Sequence, residues 1–186
     1  MTNKEIILHT ALRLFAEQGY DRTPTSQIAR EAKVSEGLIF RHYGNKAGLL
    51  EAIIRVGAGQ VHESMMPYER GSDSREAIAL HIRESFRFVR EQSDFWRLVH
   101  QMRHQPAVRQ SAEAQIGEFQ QQVAARLTDQ FRLLGAAQPE QEALLLFALI
   151  DGITLQYLQT PEAYPLDAIQ HFLIQKYQHG NFLGQP

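Results

Sequence analysis

The segment KVSEGLIFRHYGNK, residues 33–46, decides the fold, because it has the pattern of a short helix with one uncovered face. Ser35 is placed to cap this helix, and we expect it to run to about Tyr43. At about 100° per residue, Ile39 and Tyr43 fall on one side, with Phe40 on its flank. The other side carries residues with no obvious partner in their own chain: Gly37, Leu38, Arg41 and, at its border, His42.

The residues before this segment predict a second helix and a tight turn. Thr23 is placed to cap that helix and Pro24 to occupy its first position, where a missing N–H costs nothing. The helix should end near Ala32, so that three residues separate it from the next helix. Val34 and Ile39 are spaced as a hydrophobic staple. This length and spacing predict a helix-turn-helix corner.

The uncovered face suits double-stranded DNA. A major groove about 12 Å wide accepts a helix. There, Arg41 could bind guanine, Leu38 could contact a thymine methyl, and Gly37 permits close approach of the backbone. Phosphates have candidates at the starts of two helices, near Thr23 and Asn45, since helix N-termini attract anions. The side chains available there are Thr25, Ser26 and Lys46.

Composition describes an ordinary globular chain of 186 residues, 44% hydrophobic and 22% charged. It has no cysteine, which excludes disulfides and thiolate metal sites and favours a reducing cytoplasm. The start, MTNKEIILHT, is too polar for a secretory signal. The net charge of −2 argues against DNA, but residues 1–50 hold seven basic against five acidic residues. The remaining residues hold twelve basic and sixteen acidic residues, so the N-terminal part of the chain is mildly basic and the rest is acidic.

Apolar residues at helical spacing and the absence of any alternating pattern predict an all-α fold of about nine helices. The first helix opens on a capping box, Thr2 and Glu5, and Gly19 ends it. We predict a helix-turn-helix domain over residues 1–48 and a second helical domain over 49–186. Connections are expected at about 66–74 and at 161–165.

The stretch TSQIAREAKVSEGLIFRHYGNKAGLL, with the preceding FAEQGY, resembles the DNA-binding domain of the tetracycline-repressor (TetR) family. The resemblance is specific over about residues 4–55; beyond them only helix number and lengths agree. It implies a homodimer that binds a palindromic operator, with a C-terminal domain that binds a small molecule and then releases DNA. We therefore expect a ligand-responsive regulator, a repressor, whose DNA contacts come from Thr23, Thr25, Ser26, Lys33, Ser35, Glu36, Gly37, Leu38, Arg41, His42, Tyr43 and Lys46.

Three positions depart from the family pattern. Lys33 stands where glycine is common, and a left-handed backbone there would cost on the order of 1 kcal/mol. Phe40 replaces a tyrosine that usually reaches a phosphate, so that contact is not carried over. Pro24 replaces a residue that often supplies a hydroxyl.

The run ALLLFALIDGITLQYL, residues 143–158, is apolar nearly all round. At 16 residues, interrupted by Asp151 and Gly152, we judge it too short and polar for a membrane span. Its own core can cover one side, and we expect a second copy to cover the other. The alternative is a helix buried wholly within its own chain. The predicted dimerisation residues are Phe147, Asp151, Gly152, Leu155, Ile169, Leu173 and Tyr177.

The resemblance implies that three helices of the second domain enclose the effector, and Phe86, Trp96, Phe119 and Phe131 fall on them. Aromatic residues at helical spacing are more often core than pocket, so a simple core is the alternative. The predicted lining is His81, Ser85, Phe86, Trp96, His100, Phe119 and Val123. His100 and His104 have metal-compatible spacing, but no third ligand is well placed. We therefore predict no metal and no cofactor, and an effector that is small and apolar or aromatic.

The sequence also bears on two other classes of protein. An enzyme could use His81, Glu84 and His100, but no metal, nucleophile or phosphate-loop motif is present, so no enzyme is predicted. A helical carrier or interaction protein that does not bind DNA is the better alternative. Such a protein would have no use for the Leu38 and Arg41 face, and it would not bind duplex in a salt-dependent way.

Overall fold

The computed structural model describes residues 1–65, 73–102 and 106–179, with side chains except those of 62–65, 106–116 and 119. Within these ranges the secondary structure is entirely helical, as predicted. The helices are α1 (Asn3–Gln18), α2 (Thr25–Glu31), α3 (Glu36–Tyr43), α4 (Lys46–Met65), α5 (Ser74–Glu91), α6 (Ser93–Met102), α7 (Pro106–Leu133), α8 (Pro139–Gln159) and α9 (Leu166–His179).

The chain divides into two compact units. Unit 1 is residues 1–60 with 92–117, and unit 2 is residues 61–91 with 118–186. Helix α6 thus belongs with the helix-turn-helix corner, where it packs on α1. This structural division differs from the functional boundary predicted at residue 48, which stays a prediction.

Unit 1 has an apolar core drawn from α1, α2, α3 and α4. Its fully buried side chains include Ile7, Leu14, Phe15, Ile28, Ile39 and Leu49. Gln101 Nε2 of α6 donates to the carbonyl of Ala16 at 2.8 Å, which fixes α6 on α1. A Cβ on Gly57 of α4 would lie 2.1 Å from the Phe95 ring, so only glycine allows these helices to approach so closely.

Unit 2 is organised by α5 and α9, which run antiparallel. At one end, the Arg75 guanidinium donates to the carbonyls of Tyr177 (3.1 Å) and Gln178 (2.8 Å). At the other end, Arg90 pairs with Asp167. The Arg75 cation at the C-terminal end of α9 and the Asp167 carboxylate in its first turn are both favourable for the helix dipole. The ring centres of Phe131 on α7 and Tyr177 on α9 lie 5.6 Å apart, so these two helices also pack against each other.

The predicted helix ends are confirmed at several points. Thr2 and Glu5 form the capping box, and Gly19 ends α1 with a φ of 88°. Asn45 accepts from the Gly48 N–H at 2.8 Å and so caps α4. The turn before Pro165 is present, whereas the connection predicted at 66–74 lies almost wholly outside the described residues.

Helix α8 is longer than the apolar run suggested. It spans 21 residues, and by length and composition alone it could cross a membrane, so the sequence argument from a 16-residue run was wrong. Its burial is one-sided: Leu146 is fully buried and Leu158 is 7% exposed, whereas Leu144 is 62% exposed. One face of α8 therefore packs on its own chain, and the other is uncovered within it.

Candidate DNA-binding interface

Helix α3 is held in place by its turn and its cap. The Val34 N–H donates to the Ala29 carbonyl at 3.0 Å across the turn, and the Ser35 hydroxyl accepts from the Leu38 N–H at 3.3 Å. Ile39 is fully buried against the rest of unit 1. Lys33 has a φ of 55°, so its backbone is left-handed and carries the strain that a non-glycine residue has there.

The opposite face of α3 is open. A Cβ on Gly37 would meet no atom within 4 Å, and Arg41 and His42 are exposed. Leu38 is half-buried. This face is therefore accessible to a partner, as the sequence predicted, although its contacts with DNA stay a prediction.

Tyr43 is not placed as expected. Its hydroxyl donates to the Lys4 carbonyl at 2.7 Å and ties α3 to the first turn of α1. Burial raises the pKa of Tyr43 above its ordinary value, which favours the protonated form that donates this hydrogen bond. In this arrangement the hydroxyl positions α3 on α1, and its predicted contact with DNA stays a prediction.

Thr23 was predicted as a helix cap and DNA contact, and both assignments are wrong. The residue at the cap position of α2 is Pro24, which offers no side-chain hydrogen bond. Thr23 is fully buried, and its hydroxyl donates to the Gly19 carbonyl at 2.9 Å. Its role is to close the loop between α1 and α2.

The remaining hydroxyls near the start of α2 differ in availability. The Thr25 hydroxyl donates to Glu36 Oε1 at 2.5 Å and so links the first turns of α2 and α3. Ser26 is exposed. Ser26 is therefore the better candidate for a phosphate contact, whereas Thr25 and Glu36 would have to separate before either could bind DNA.

Lys46, at the start of α4, folds back on its own unit. Its Nζ lies 4.3 Å from the centre of the Tyr20 ring and donates to the Asp21 carbonyl at 3.4 Å. Burial lowers the pKa of Lys46, and the nearby Asp21 opposes this change. The lysine joins the loop after α1 to α4, and its contact with phosphate stays a prediction.

The predicted effector residues are divided between the units. In unit 2, Phe86 is fully buried, Val123 is 6% exposed, and Ser85 is 8% exposed. Burial lowers the pKa of His81, also in unit 2, to about 4, so it is neutral at pH 7. Trp96 and His100 lie in unit 1, and the side chain of Phe119 is not among those described. A common pocket for these seven residues stays a prediction.

A small open pocket of about 50 Å³ does occur in unit 1, between α1, α4 and α6. It has room for water or a methyl group rather than for an effector. Among the described side chains no group of three or more potential metal ligands occurs, and His104 lies outside them.

The predicted dimerisation residues fall into two groups. On α8, Gly152 and Leu155 are exposed and Phe147 and Asp151 are half-buried, as is Ile169 on α9. Leu173 and Tyr177 were wrongly assigned, because they are 4% and 2% exposed and face the core of their own unit.

Other large apolar residues of α8 and α9 are exposed and were not among those predicted. Leu144 and Phe172 are 62% and 67% exposed, and Leu145 is 39% exposed. The signal was available: Leu144, Ala148, Gly152 and Leu155 recur at spacings of four, four and three, which marks one face of a helix. We call Leu144, Leu145, Leu155 and Phe172 the α8–α9 apolar face.

A capped helix held by a tight turn, with an open face that carries an arginine, is the arrangement of helix-turn-helix proteins. Residues 7–53 match the family model for the bacterial regulatory proteins of the tetR family. Residues 74–175 match that for the C-terminal region of BetI-type transcriptional repressors. The chain belongs to the TetR family of DNA-binding transcriptional regulators.

Individual relatives agree with this assignment. An uncharacterised HTH-type regulator, YvkB of Bacillus subtilis, is 49% identical over 53 residues, which is 28% of either chain. The matches to this relative and to two other curated regulators each span about a third or less of the relative's own length. TtgR of Pseudomonas putida is 24% identical over 178 residues, 86% of this chain and 82% of its own.

Solved structures share the fold. FadR of Bacillus subtilis, in complex with stearoyl-CoA, has a TM-score of 0.80 at 19% identity, covering 95% of this chain and 98% of its own. A regulator from Saccharomonospora viridis in complex with choline has a TM-score of 0.75 at 22% identity, covering 95% of both chains.

Proposed function

We propose that the chain is a homodimeric repressor that binds a palindromic operator through α3 and is released by a small apolar effector. The observation that carries the proposal is the open face of α3, where Gly37 leaves free space and Arg41 has no covering element. The match to BetI-type repressors supports repression as the mode of regulation. Binding to DNA requires the protein in the cytoplasm.

A second copy of the chain is the proposed occupant of the α8–α9 apolar face. This face exposes two large apolar side chains, Leu144 and Phe172, by more than 60%, and large apolar side chains left in water favour an interface with a partner. Gly152, exposed and with no atom within 4 Å of a Cβ added to it, would let two helices approach closely. A two-fold dimer has two copies of α3, one for each half-site of a palindromic operator.

The effector is proposed to bind in the C-terminal domain. Similar folds hold a long acyl chain on coenzyme A in FadR and choline in the Saccharomonospora regulator. Stearoyl-CoA and choline are therefore the two compounds to test, and the measurement is the loss of operator binding when each is added. Because the predicted effector is apolar, stearoyl-CoA is the ligand expected to release DNA.

The experiment that tests DNA binding is a titration of the full chain with duplexes selected from a randomised library. As salt rises from about 50 to 200 mM, affinity should fall by on the order of 10³-fold if about six phosphates are contacted. A protein that binds no duplex at any salt concentration would instead be the helical carrier considered above.

A further inference from the structure

One exposed apolar side chain of unit 1 lies on the helix that we assign to the major groove. Phe40 is 44% exposed, and its hydrocarbon ring has no polar group to offer water. The only other large apolar residues of unit 1 among those described as exposed are Met1 at the terminus and Val56 on α4. An exposed phenylalanine in the middle of a binding helix indicates that a partner covers its ring in the complex.

The position of Phe40 on α3 indicates what that occupant is. At about 100° per residue, Phe40 lies roughly 60° from Gly37 and about 160° from Leu38. The open space at Gly37 is one turn before the ring and leaves room for DNA to reach it. Phe40 and Leu38 therefore border the open face on opposite sides, with Gly37 and Arg41 between them.

Since Phe40 has no donor or acceptor, its partner on DNA is an apolar group. In the major groove the thymine 5-methyl group is that partner, and phenylalanine is among the side chains that contact it. We propose that Phe40 reads a thymine methyl at the edge of each half-site, distinct from the position that Leu38 contacts. This inference rests on the proposed function, because it takes α3 as the helix in the groove.

Replacement of thymine by deoxyuridine removes the methyl group and leaves the base-pairing edge unchanged. Each thymine of a selected palindromic duplex is replaced in turn, in both half-sites, and affinity for the full chain is measured by fluorescence anisotropy. The wild type should show two methyl-sensitive positions per half-site. Loss of one buried methyl should weaken binding by about fourfold per half-site, or about 15-fold for the symmetric pair.

The variants assign each position to a side chain. Phe40→Ala should abolish sensitivity at one position and keep the other, while Leu38→Ala should do the reverse. Val56→Ala is the matched control, since Val56 has the same 44% exposure but lies on α4, and both sensitivities should remain. Circular dichroism checks that each variant is folded.

Two results would overturn the proposal. If Phe40→Ala keeps both sensitivities, the ring contacts no methyl group. If it weakens every duplex equally, with or without deoxyuridine, the ring contacts deoxyribose or serves packing only. Failure to select any duplex would refute the proposed function as well, so the two failures are distinguishable.

Discussion

Substitution of Leu155 by glutamate should separate the dimer without unfolding the chain. Leu155 is 39% exposed on α8, so a carboxylate there can reach water in the monomer. In a dimer closed over the α8–α9 apolar face, the same carboxylate would be buried. It would also lie one turn from Asp151, and like charges at this spacing repel.

The size of the effect on dimer affinity follows from the exposed fractions of the four side chains in the α8–α9 apolar face. Added together, these fractions correspond to roughly two fully exposed side chains per protomer. At about 2 kcal/mol for each, covering them in a dimer stabilises association by on the order of 8 kcal/mol. Two buried carboxylates would cost several kcal/mol. With a loss of about 4 kcal/mol, the dissociation constant rises about 1000-fold.

Sedimentation equilibrium measures this change directly. The wild type should sediment as a dimer and Leu155→Glu as a monomer at the same micromolar concentration, with similar circular dichroism. Leu133→Glu is the control, because Leu133 is 75% exposed on α7 and lies outside the α8–α9 apolar face. A dimer that persists in Leu155→Glu, or that is lost equally in Leu133→Glu, would refute this placement of the interface.

Three further substitutions test individual roles. Thr23→Val removes the hydroxyl that donates to the Gly19 carbonyl and should lower the free energy of unfolding by about 1–3 kcal/mol. The salt dependence of DNA binding should not change, and a flatter salt dependence would show that Thr23 contacts a phosphate. Lys33→Gly should raise stability by up to about 1 kcal/mol, because it relieves the strain at a φ of 55°, and a lower thermal midpoint would argue against that strain. His81 has its pKa lowered to about 4 in the folded chain against 6.5 in the unfolded one, so its unfolded form takes up a proton first. As pH falls from about 6.5 to 4, the folded state should therefore lose about 3 kcal/mol. His81→Leu should lack this part of the denaturation profile, and an unchanged profile would contradict the burial argument.

Local signals predicted the helix-turn-helix corner well. Caps, a tight turn and helical spacing depend on neighbouring residues, so Ser35, Asn45 and the open face of α3 could be inferred before the structure. The family's preference for glycine raised the case of a left-handed backbone at Lys33, and the structure contains it. These features need no knowledge of distant contacts.

The contacts that were missed join residues of different helices or of a helix and a loop. Thr23 looks like a helix cap, but the carbonyls that its hydroxyl meets come from α1 and its following loop, which only folding brings near. Tyr43 likewise finds Lys4, 39 residues away. The division of α9 into a buried side with Leu173 and an exposed side with Phe172 depends on its packing against α5. Periodicity alone could not tell which side faces the core.

The most direct test of α3 in the major groove is protection of guanine N7, a groove atom, from methylation by dimethyl sulfate. On a selected palindrome, the wild type should protect two patches whose centres lie about one helical turn, roughly 10 base pairs, apart. Arg41→Ala should expose one guanine in each patch. Duplex binding that leaves every N7 reactive, or protection that does not change in Arg41→Ala, would contradict the account.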